Sequence, residues 1–117
     1  MTDAKFTAGP LKAKGHSIYN GGKLIATVHL PFAIDEPRLD GESWVEMMER
    51  TKPEREARDI EGDANAHLIA AAPELYEALA RGLRLLSVAV AQAGGNPETH
   101  DCCVEMRAAL AKARGES

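Results

Sequence analysis

Asn65, His67, Tyr76, Arg81 and Arg84 fall within one short window around Pro73. Amide, imidazole and phenol groups offer hydrogen bonds, and guanidinium forks match phosphate oxygens, so this set has the chemistry of an anion site. Proline lacks an amide hydrogen and disfavours the α conformation in the residue before it. The sequence therefore predicts a kink, or a helix end near Ala72 followed by a new helix with Glu74 and Glu77 in its first turn. Such a start presents unpaired amides, where an anion is electrostatically favoured. The five residues are the candidate ligand contacts. On the alternative reading Asn65 satisfies a backbone group, His67 sits at a helix boundary and Tyr76 packs.

The other reactive side chains do not assemble into a recognisable centre. His16, His29, His67 and His100 lack the two-at-i,i+4 arrangement of a helical metal site, and the adjacent Cys102 and Cys103 lack the C-x2-C spacing that favours zinc. Asp35, Glu36, Asp40 and Glu42 form a carboxylate-rich loop without a pairing pattern, which reads as solvated charge. Gly9, Gly15, Gly21 and Gly22 do not spell a phosphate loop and read as turn residues. The expectation is a protein that is not an enzyme, with no catalytic residues, no metal and no cofactor.

Composition narrows the function classes. The chain has 117 residues, a formal charge of −4 and only five aromatic residues, Phe6, Tyr19, Phe32, Trp44 and Tyr76. Much of its apolar content is alanine, which buries little area, so homo-oligomerisation is expected to supply the missing core. An acidic balance argues against nucleic acid as the main partner, because neutralising phosphates requires clustered Lys and Arg. No apolar run approaches the roughly 20 residues of a membrane span. Residues 1–6 carry no apolar targeting core, and the thiols read as free, so the expected location is the cytoplasm of a bacterial host.

The elements that must position these residues are those of an α+β single domain over 1–117. Residues 1–31 read as an antiparallel β-meander: a strand around Leu11–Lys14, then Ser17–Tyr19 and Lys23–Leu30 on either side of Asn20-Gly21-Gly22, with Asn-Gly as the hairpin signal. In the last strand Leu24, Ala26, Val28 and Leu30 share the expected core face. Residues 32–53 read as irregular with a short helix from Trp44 to Arg50, started by the Ser43–Glu46 capping box and burying Trp44, Met47 and Met48. Residues 54–117 read as helical. Ala57, Ile60, Ala64, Leu68 and Ala71 form one apolar stripe, weakened by Gly62, and Leu75, Leu79, Leu83, Leu86 and Val90 form another. Leu85, Val88 and Ala89 widen the second beyond what one partner needs. Gly94 to Pro97 separate this kinked helical hairpin from a final helix that reaches Arg114.

Gly9-Pro10, Ile18-Tyr19, Gly22 to Ala26, the run Ala64 to Leu79 and the terminal Met106 to Gly115 carry a resemblance. The chain resembles a family of small bacteriophage and prophage accessory proteins with a GPW-like start and an ANA-x-LIAAAPEL-x-EAL helix. Leu11 stands where tryptophan is usual. The resemblance implies a phage protein acting against host defence, and a sheet with two long helices is similar in outline to one class of anti-Thoeris nucleotide sponge. The expected function is sequestration of a small anionic ligand, such as a cyclic nucleotide messenger. The alternatives are an anti-CRISPR-like inhibitor that binds a host defence protein and a non-enzymatic phage regulatory protein.

Overall fold

The computed structural model describes residues 5–29 and 38–116. The fold is α+β: β1 (Lys12–Lys14), β2 (Ser17–Asn20) and β3 (Lys23–Thr27) form an antiparallel sheet in the order β1-β2-β3, followed by α1 (Trp44–Gln92) and α2 (Asp101–Ala113). Two compact units emerge, Leu11–Ala70 and a second that joins residues 5–10 to 71–116. Leu30, Asp35 and Glu36, which figure in the expectations above, lie outside the described residues.

In the Leu11–Ala70 unit, Asn20 pairs with Lys23, so Gly21 and Gly22 form the hairpin turn with φ of +57° and +86°. Two successive positive φ angles are those of a type I′ turn, whose twist matches the flanking strands. The turn thus sits one residue later than the Asn-Gly signal suggests, and Asn20 keeps a strand conformation. A register irregularity follows between Ile18 and Tyr19, which pair with Ala26 and Leu24 and leave Ile25 over. An extra residue breaks strict alternation along a strand. The expected core face of β3 is corrected accordingly: β3 is exposed throughout, with Leu24 54% exposed, and of the described residues on that face Val28 alone, beyond the strand, packs on the core.

The core of this unit is Ile18, Ala66 and Ala70, with Leu11, Ala13 and Val28 against it. The face of α1 that it buries is therefore Gly62, Ala66 and Ala70, in place of the expected stripe. Ile60 and Leu68 are 71% and 62% exposed. Small residues four apart make a shallow track on one helix face, and that track lets the sheet come close. Gly62 shows how close, since a Cβ there would stand 2.5 Å from Nε2 of His16. The same nitrogen lies 3.2 Å from the Asp59 carbonyl and 3.3 Å from Oδ1 of Asp63.

The start of α1 is capped as expected, the Glu46 amide donating to Ser43 Oγ at 3.1 Å. Met47 is buried and Met48 half-buried, but Trp44 is 57% exposed, which corrects its expected burial. Glu42 folds back over the first turns to take a two-pronged bond from Arg50, 2.8 Å from Nε and 3.0 Å from Nη2. The Arg50 pair, and after it the Leu39 amide, hold the Glu42 carboxyl below the usual carboxylate range.

Neither Pro53 nor Pro73 interrupts α1. The separate helices expected before, between and after them are one, although an interior proline forfeits a hydrogen bond and costs about 3 kcal/mol. Strong helix formers surround both sites, and Pro73 is buried. Gly9 lies against it: a Cβ on Gly9 would meet Pro73 Cβ at 3.2 Å and Glu74 Oε1 at 2.9 Å. At its far end α1 closes when the amides of Gly94 and Gly95 bond the carbonyls of Ala91 and Val90. α2 then buries Cys103 and Leu110.

Candidate functional site

A helix that continues through Pro73 keeps its amides engaged, so the helix-start anion site expected there is absent. The five candidate residues take up different positions. Asn65 is half-buried and His67 exposed, both in the Leu11–Ala70 unit. Two residues apart on a helix, they point to different sides. Tyr76, Arg81 and Arg84 belong to the other unit. Arg81 is exposed and has no hydrogen bond or ion pair among the described residues.

Tyr76 and Arg84 meet the beginnings of a site. Ala80, Leu83 and Arg84 of α1, with Arg107, Leu110, Ala111 and Arg114 from the end of the chain, line an open groove of about 440 Å³. Its floor is apolar, and its charged lining groups among the described residues are the three arginines. Arg107 is fixed by bonds from Nη2 to the carbonyls of Pro97 at 3.0 Å and Glu98 at 3.1 Å. Arg114 donates from Nε to Glu116 at 2.5 Å and from Nη1 to the Tyr76 hydroxyl at 3.0 Å. Glu116, and after it Tyr76, push the Arg114 pKa further above its already high value, so the guanidinium keeps its charge. Tyr76 is itself held edge-on by Phe6, with ring centroids 4.9 Å apart. Arg84 alone among the three has no partner among the described residues.

Arg107 and Arg114 are absent from the candidate set read around Pro73. Their signal is the spacing Arg107, Leu110, Ala111, Arg114, which at i, i+3, i+4 and i+7 puts all four on one helix face, with a cation one turn before and one turn after the apolar pair. A second, smaller cavity of about 240 Å³ is lined by Gly9, Pro10, Pro73, Glu74 and Glu77, and its carboxylates make it unsuited to an anion. Among the described residues no group of three or more His, Cys, Asp or Glu side chains is arranged to hold a metal ion. No helix among them is long and apolar enough to cross a membrane.

A small α+β protein with an arginine-lined groove on its helical part is the class that this geometry defines. The chain belongs to the family described as Salmonella phage P22 protein Y8K6, whose model matches residues 1–117, and it is thus a bacteriophage protein. No curated protein and no solved structure matches it.

Proposed function

We propose that this phage protein binds an anionic small molecule, a nucleotide in chemical class, in the groove of Arg84, Arg107 and Arg114, and that it acts by sequestration in counter-defence without turning its ligand over. The observation that carries the reading is the combination in one groove of three guanidinium groups with an apolar floor of Ala80, Leu83, Leu110 and Ala111. Phosphate oxygens suit the planar forks, and a base or ribose suits the floor. The groove volume lies in the range of small-molecule sites, roughly 300–1,000 Å³. Arg107 and Arg114 are held in place before any ligand arrives, which lowers the ordering cost of binding. Counter-defence rests on the phage family and on the resemblance to small accessory proteins of that kind.

A second reading, a protein-binding inhibitor, is favoured by a different surface. Leu39, Trp44 and Val45 at the start of α1 are 59%, 57% and 64% exposed and would suit a protein partner.

Thermal-shift titration with linear and cyclic nucleotides, and with inorganic phosphate as a control, separates the two. Ligand binding to the folded state alone raises stability by RT ln(1 + [L]/Kd), about 2.7 kcal/mol at a hundredfold excess over Kd. Arg84→Ala should abolish most of the shift while leaving the ligand-free melting point nearly unchanged, because Arg84 makes no hydrogen bond or ion pair among the described residues. No shift with any nucleotide, together with a stable complex with a host defence protein, would establish the inhibitor instead.

A further inference from the structure

Along its second half α1 has a more covered side and a more open one. In the unit of residues 5–10 and 71–116, Pro73 is buried, Tyr76 half-buried beneath Phe6, and Ala80, Leu83 and Arg84 line the groove. At 100° per residue these positions occupy one side of the helix. Ala71, Leu75, Ala78, Gly82 and Leu85 follow one another at spacings of four, three, four and three on the opposite side. Leu75 and Leu85 are 53% and 69% exposed, Ala71 and Gly82 are half-buried, and among the described residues nothing lies within 4 Å of where a Cβ on Gly82 would stand. Spacings of three and four in alternation are those of a helix-pairing seam. Glu74 and Arg81 flank that seam on the same edge, one heptad apart, and both are exposed.

We propose that this face pairs with the same face of a second copy of the chain, antiparallel, about a two-fold axis between Tyr76 and Glu77. Charge complementarity selects both the occupant and the direction. Around that axis Leu75 meets the partner's Ala78, Ala71 meets the partner's Gly82, and Glu74 of each chain stands beside the partner's Arg81. A parallel pair would set Glu74 against the partner's Leu79 and leave all four charges without partners. Alanine and glycine opposite leucine and alanine permit close helix approach, near the 8 Å end of the usual 8–10 Å range. The need for a second copy is visible in each chain's own core. Among the described residues, the buried apolar ones are Ile18, Met47, Ala66, Ala70, Cys103 and Leu110, of which three are large.

Sedimentation equilibrium with charge-reversed variants tests the interface. Wild type should be a dimer at micromolar concentration. Glu74→Arg and Arg81→Glu should each weaken association by about tenfold or more, since each replaces two attractive pairs with two repulsive ones. Mixing the two variants should restore association, because the heterodimer again pairs opposite charges at both places. The double variant E74R/R81E should dimerise as wild type does, whether or not either single variant folds well. A wild-type monomer at a hundred micromolar, single variants that associate as tightly as wild type, or a mixture and a double variant that stay dissociated would each overturn the proposal.

Discussion

The imidazole of His16 occupies the space that a side chain on Gly62 would need, with Nε2 only 2.5 Å from the position of a Cβ. Replacing an interior helix glycine by alanine ordinarily stabilises by about 1 kcal/mol. Here the methyl must displace the ring from the Asp59 carbonyl and from Asp63. Gly62→Ala should therefore fail to raise the melting temperature. His16→Ala in the same chain should release the gain, so that the double variant melts above His16→Ala alone. Equal gains in both backgrounds would show that the ring does not rest there.

Ile18 and Leu24 test which residues of the sheet are core. Ile18 is fully buried on Ala66 and Ala70, and Leu24 is 54% exposed. Ile18→Ala should cost about 2–5 kcal/mol in chemical denaturation, as for other buried aliphatic truncations. Leu24→Ala should stay within about 0.5 kcal/mol. The reverse order would restore the face that simple alternation along β3 suggests.

Glu42 gives the protein an acid-sensitive contact. Its folded pKa lies below the ordinary 4.5, chiefly because Arg50 bonds the carboxylate, so the unfolded chain binds the proton more readily. The contribution of Glu42 is then fully present above the unfolded value and is lost as the pH falls through the folded one. Melting curves of wild type and Glu42→Gln should differ near neutrality and converge as the pH drops below 4.5. A gap that persists unchanged into strong acid would show that the carboxylate charge contributes nothing.

Tyr76 links the aromatic contact with Phe6 to the position of Arg114. Tyr76→Phe keeps the ring and removes only the acceptor for Nη1. If the groove binds nucleotides, calorimetric titration should show the affinity of this variant reduced but not abolished, with Arg84→Ala more severely affected. Identical affinities in wild type and Tyr76→Phe would mean that Arg114 does not depend on the tyrosine for its placement.

Much of the local structure was legible in the sequence because it is set by neighbours along the chain. The meander with its glycine turn, the Ser43 cap, the stop at Gly94 and Gly95 and the last helix all follow from short-range preferences of backbone and side chain. The α+β class follows from their order. Periodicity also marked α1 as helical, but it could not say which side would be covered. The sheet chose the small-residue track of Gly62, Ala66 and Ala70 over the larger apolar stripe, since burial depends on what fits closely as well as on hydrophobicity. Proline at 73 carried a local penalty that the surrounding helix and the contact with Gly9 outweighed, and with the break went the helix-start anion site. Only the tertiary structure could bring Arg107 and Arg114, more than twenty residues beyond Arg84, to one groove, because their meeting depends on packing between segments that the sequence holds apart.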